Sequence, residues 1–116
     1  RPMYEQRSWG EYRVIDSSVF PDGAKALTKE LIIREGCQLN YQRHMHRGEV
    51  WTVISGSGEL VLDGLVQQIR IGSVAQIPAG TCHSVRAVGE DLHVIEVQHG
   101  ETLIKEDIEL LGTFWN

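Results

Sequence analysis

Short apolar runs, each closed by a glycine, set the pattern of this chain. Leu31-Ile32-Ile33, Val50-Trp51-Thr52-Val53-Ile54, Leu60-Val61-Leu62 and Leu92-His93-Val94-Ile95-Glu96-Val97 alternate or are β-branched. That is the two-residue period of strands, and no segment holds the 3.6-residue helical period for three turns. Gly36, Gly48, Gly56, Gly58, Gly64, Gly72, Gly80, Gly89 and Gly100 cut the middle of the chain into strand-length pieces. Asp63-Gly64, between Leu60–Leu62 and Leu65–Ile69, marks a hairpin, because glycine accepts the positive φ of a tight turn. Regularly spaced short strands with glycine turns predict an all-β sandwich or barrel with its core at about residues 27–98. Residues 1–11 read as a less regular arm carrying Tyr4 and Trp9. Residues 101–116 read as a C-terminal segment ending in Phe114-Trp115-Asn116, with its aromatics against the barrel or a partner subunit.

Composition narrows the class. With 116 residues, 41% hydrophobic and 23% charged, the chain is one folded domain, 1–116, with too little length for a second core. A formal net charge of -5 argues against nucleic acid and anionic membrane surfaces as partners. No apolar run approaches the ~20 residues that span a bilayer. Arg1 to Arg7 lack the apolar stretch of a secretion signal. Two cysteines, Cys37 and Cys82, make no disulfide framework and fit a reducing cytoplasm as free thiols. Cys82 adjoins His83, which leaves a redox or metal role open for it.

Metal-ligand chemistry clusters in His44-Met45-His46-Arg47-Gly48-Glu49. On a strand, His44 and His46 point to one face and Gln42 joins them. Arg47-Gly48 then turns, and Glu49 opens the next strand, whose antiparallel course brings its carboxylate back to that face. A further imidazole, His83, follows the turn Ile77-Pro78-Ala79-Gly80-Thr81-Cys82 and starts Ser84-Val85-Arg86-Ala87-Val88. If His83 faces inward, Val85 and Ala87 do too, while Ser84 and Arg86 face out. Trp51 shares the inward face of Glu49 and would form pocket wall. His93 and His99 fit no ligand pattern and read as structural or solvated. Imidazoles plus a carboxylate suit one divalent metal ion (zinc, manganese, iron, cobalt or nickel), with the remaining positions left to water or substrate.

The two blocks, Gly36…His44-x-His46-x-x-Glu49…Gly56 and Gly72…Pro78-x-Gly80-x-x-His83, resemble the paired motifs of the cupin superfamily. That resemblance implies an antiparallel jelly-roll barrel, a double-stranded β-helix, with a metal in its mouth. The His46–Glu49 spacing is one residue shorter than in the commonest cupin form, so either Gln42 or Glu49 completes the ligand set. Within cupins, the chain resembles the C-terminal domain of type II mannose-6-phosphate isomerases, also found fused to mannose-1-phosphate guanylyltransferase. Arg7-Ser8-Trp9-Gly10-Glu11-Tyr12, Lys29-Glu30-Leu31-Ile32-Ile33-Arg34-Glu35-Gly36, His44-Met45-His46-Arg47-Gly48-Glu49-Val50-Trp51, Ile77-Pro78-Ala79-Gly80 and Ile95-Glu96-Val97-Gln98-His99-Gly100-Glu101 carry the likeness. Met45 and Val50 stand where that family often has His, Cys82 and Ser84 where it often has Lys and Arg, and Glu30 where it often has Arg.

The resemblance implies aldose–ketose isomerisation of a phosphorylated sugar. A metal held by His44, His46, Glu49 and His83 would stabilise developing negative charge, and a nearby base would shuttle the proton. Glu49 is that base if Gln42 takes its place on the metal. Lys29, on the face of Leu31 and Ile33, and Arg47 are candidate cations for a phosphate. Two other readings use the same residues: an iron-dependent dioxygenase acting on a small organic substrate, and a non-catalytic, metal-containing module that binds a sugar or metabolite. The expected partners are a small-molecule substrate and a second copy of the chain, as a homodimer.

Overall fold

The glycine-punctuated pattern folds into two antiparallel sheets with no helix among the described residues, 3–116, of the computed structural model. The strands in chain order are β1 (Tyr4–Arg7), β2 (Gly10–Val19), β3 (Lys25–Ile33), β4 (Gln42–Arg43), β5 (Gly48–Ser55), β6 (Ser57–Leu62), β7 (Leu65–Arg70), β8 (Val74–Ile77), β9 (His83–Ala87), β10 (Leu92–Gly100) and β11 (Glu109–Leu110). One sheet runs β1-β2-β3-β10-β5-β8 and the other β11-β4-β9-β6-β7. Leu62 faces Leu65 across Asp63-Gly64, and both turn residues have positive φ, 47° and 84°. That is the geometry of a two-residue hairpin. A side chain at Gly56, where φ is 87°, would overlap the Asp91 carbonyl, so the β5–β6 turn needs glycine for space as well as for conformation.

The inward columns of four strands have a common polarity. β10 buries Leu92, Val94, Glu96 and Gln98; β5 buries Glu49, Trp51 and Val53; β9 buries His83, Val85 and Ala87; β3 turns Ile33 and Leu31 inward, then Lys29. Register aligns these columns: Val94 faces Leu31 and Val53, Glu96 faces Lys29 and Trp51, and Gln98 faces Glu49. One end of the space between the sheets is therefore a dry core of Ile33, Val53, Leu60, Val85, Leu92 and Val94. The other end, reached by continuing the same strands, is lined by polar and charged groups.

Two expectations change, and one open alternative is decided. The N-terminal arm is regular: β1 pairs with β2 from Tyr4↔Arg13 to Arg7↔Gly10, and Trp9 packs on the core. Arg1 and Pro2, also assigned to that arm, lie outside the described residues. Ser84 is buried, because the C-terminal segment covers it. The Trp115 indole donates to Ser84 Oγ (2.8 Å), and that hydroxyl donates to the Leu39 carbonyl (2.7 Å). Phe114 lies 5.4 Å, ring centre to ring centre, from Tyr41. The terminal aromatics thus pack on their own barrel, which removes them as support for a dimer.

Candidate metal centre

The polar end is a cavity of about 390 Å³, within the size range of small-molecule sites. His44, Glu49 and His83 meet in it, all buried, with one donor atom of each within 4.8 Å of the others. His44 Nε2 is 3.3 Å from Glu49 Oε2, and His83 Nε2 is 4.0 Å from Glu49 Oε1. Register explains the meeting. Glu49 opens the inward column of β5, and His83 opens that of β9, where it pairs with Gln42 of β4.

His46 is not in this group. Strand β4 ends at Arg43, so residues 44–47 form a turn and the strand alternation expected to carry His44 and His46 to one face lapses. His44 goes in, while His46 is exposed. Gln42 lines the same cavity and donates through its amide nitrogen to the Asn40 carbonyl (3.3 Å), which leaves its amide oxygen as the ligand-type atom. Cys82 is outside the group.

The donor set fits a divalent ion. His44 Nδ1 lies 2.8 Å from the Asp107 carbonyl, and His83 Nδ1 lies 2.9 Å from the Thr81 carbonyl. A carbonyl only accepts, so in each ring Nδ1 carries a proton and Nε2 is the nitrogen left facing Glu49. This outer-shell arrangement is the usual one for metal-binding imidazoles. Burial holds His44 below the ordinary histidine range, which favours the neutral form that binds a metal. Burial would raise Glu49, but neighbouring His83, Arg47 and His44 and the Trp51 indole outweigh it and hold the carboxyl below its ordinary value. Trp51 Nε1 donates to Glu49 Oε1 (2.9 Å) and Arg47 Nε to Oε2 (2.9 Å). Arg47 also points Nη2 at His44 Nε2 (3.3 Å) and is only 10% exposed, so this cation is built into the centre and does not stand at the rim.

Sequence reasoning missed Glu96 as a site residue. It is buried in the cavity wall and accepts from Gln98 Nε2 at 2.9 Å. Burial, then the charge of Glu49, pushes its carboxyl up from 4.5 to about 8. The two glutamates hold one negative charge between them, on Glu49, and Glu96 keeps its proton near neutrality. The signal was present in the chain: Glu96 falls two residues after Val94 and four after Leu92, on the inward face of a strand. Lys29 lines the cavity opposite it in register, with Nζ 4.4 Å from the centre of the Tyr12 ring. Burial lowers its amine below the usual lysine value, against the pull of Glu96.

Two sheets enclosing a mouth lined by His44, Glu49 and His83 define a cupin-type domain. The same architecture appears in oxalate decarboxylase from Bacillus subtilis, with a TM-score of 0.81 and 17% identity over 94% of this chain and 30% of that one. The chain belongs to the mannose-6-phosphate isomerase C-terminal family, whose model matches residues 3–113. It is 35% identical over 104 residues to the alginate biosynthesis protein AlgA of Pseudomonas putida, covering 89% of this chain and 20% of that protein. It is 31% identical over 103 residues to mannose-1-phosphate guanylyltransferase of Escherichia coli, covering 88% and 20%. The chain therefore spans about a fifth of the length of these curated relatives. Among the described residues no helix is long and apolar enough to cross a membrane.

Proposed function

We propose that this domain performs metal-dependent aldose–ketose isomerisation of a phosphorylated hexose. The observation that carries the proposal is the buried His44–Glu49–His83 group with a second buried carboxyl, Glu96, in the wall of the same cavity. Family membership supports the sugar-phosphate class. His44, Glu49 and His83 would hold the ion, with Gln42 as a fourth donor, while His46 is exposed and lies outside this group. When bound, the ion supplies positive charge for a sugar oxygen that becomes negative during the reaction.

The remaining roles follow from the side chains. Isomerisation moves protons between neighbouring atoms and needs a group that releases and recovers one near neutrality. Glu49, ionised with both oxygens engaged by Trp51 and Arg47, suits a ligand better than a mobile base. Glu96 holds a proton on its carboxyl inside the same cavity and takes the acid–base role. Lys29 adds positive charge beside it, where a phosphate or an oxyanion would lie. Tyr12, Leu31 and Trp51 add apolar wall beside these groups, which strengthens their charge interactions.

The test is interconversion of mannose-6-phosphate and fructose-6-phosphate by chelated protein resupplied in turn with zinc, manganese, iron, cobalt and nickel. Turnover that disappears in Glu96→Gln and Glu49→Gln supports the proposal. Absence of turnover with every metal removes it; oxygen consumption with iron would point to a dioxygenase, and ligand-induced stabilisation without turnover to a binding module. A cytoplasmic homodimer completes the proposal. Leu65, Val66, Ile71 and Val74, on and beside the edge strands β7 and β8, are exposed apolar side chains at the sheet edges, and light scattering at two concentrations checks self-association.

A further inference from the structure

The turn that carries His44 is held by one residue about sixty positions away. Asp107 is buried, while its neighbours Glu106 and Ile108 are exposed. Its carboxylate accepts from the Met45 amide through Oδ1 and from the His46 amide through Oδ2, both at 2.9 Å, and its own carbonyl accepts from His44 Nδ1 at 2.8 Å. Three consecutive residues of the turn are thus tied to one aspartate. The other tie on this turn is from the β8–β9 loop, where the Gly80 amide donates to the His44 carbonyl at 2.7 Å. Around Asp107, Leu103, Ile104, Lys105, Ile108 and Leu110 line the cavity, so the C-terminal segment forms part of the site.

We propose that Asp107 is the positioning residue of the metal centre: its carboxylate clamps the 44–46 turn so that its carbonyl dictates which nitrogen of His44 faces Glu49. Outside a strand, no ladder holds the turn, and two charge-assisted bonds to adjacent amides supply the missing constraint. With Nδ1 pinned to a carbonyl, only Nε2 is free, and it is aimed at Glu49 Oε2. In the other tautomer the Nδ1 lone pair would face the Asp107 carbonyl oxygen, two acceptors 2.8 Å apart with no proton between them. Asp107 itself touches neither substrate nor ion in this assignment. The inference rests on the metal reading above for its consequence, though not for the tautomer itself.

Imidazole 15N spectra of the chelated full chain and a zinc competition titration test it together. Wild-type His44 should be the Nδ1–H tautomer. Asp107→Ala should show mixed His44 tautomers and ~10–100-fold weaker zinc binding. Asp107→Asn, which keeps shape and one side-chain acceptor, should fall between, and the exposed neighbour Glu106→Ala should match wild type. Should the alanine variant not fold, the asparagine variant is decisive. A wild-type tautomer together with zinc affinity within about twofold of wild type, in whichever variant folds, overturns the proposal. If wild-type protein binds no zinc, the metal reading fails, and the tautomer comparison alone decides the role of Asp107.

Discussion

Replacing Glu96 by glutamine removes an ionisable group while keeping its shape and its contact with Gln98. The folded carboxyl titrates near 8, against 4.5 for the free group, because it is buried beside ionised Glu49. Between these values the native state keeps a proton that the unfolded chain has released. Stability from this group is therefore full below pH ~4.5 and is lost as pH rises toward ~8. Each pH unit in that window is worth about 1.4 kcal/mol for one proton. From pH 5 to pH 7 the wild type should lose on the order of 3 kcal/mol relative to Glu96→Gln. His44 works in the opposite sense, since its folded value is lowered, but it is common to both proteins and largely cancels in the difference. Urea unfolding of both proteins at pH 5, 6, 7 and 8, with chelator present, measures this. Parallel profiles, within the scatter of linear extrapolation, would refute the idea that Glu96 is held protonated by burial and Glu49.

Two further outcomes follow from the same geometry. His44→Ala or His83→Ala should abolish stoichiometric metal binding while leaving β-rich circular dichroism intact, whereas His46→Ala should bind as wild type; elemental analysis after gel filtration distinguishes them. Trp115→Ala opens a buried space over β9 and removes the donor to Ser84, so it should cost about 3–5 kcal/mol in thermal or urea unfolding; a loss below about 1 kcal/mol would mean that the C-terminal segment does not seal the sheet.

The strands of the core were legible because a two-residue period combined with glycine punctuation has few other solutions. β2 was not, since its alternation of Tyr12 and Val14 with Glu11 and Arg13 lapses after Val14, and the polar Asp16–Ser18 stretch is carried by pairing with β3. Of the site, His44, Glu49 and His83 were legible as residue types at suggestive spacings. His46 misled because the alternation rule applies only inside a strand, and β4 ends at Arg43. Glu96 was overlooked because a single carboxylate in a strand looks solvated until its neighbours in the sheet are known.

By itself the chain determined its all-β class, its hairpin at Asp63-Gly64 and the kinds of atoms available to bind a metal, because these depend on local period, turn conformation and side-chain chemistry. Only the tertiary structure decided which histidine faces inward, that Arg47 sits against Glu49, and that Glu96 keeps its proton beside a second carboxylate. Those are matters of distance and burial between segments remote in sequence. Asp107 reaching back to residues 44–46 is the clearest case, since no local pattern encodes where a distant strand will end.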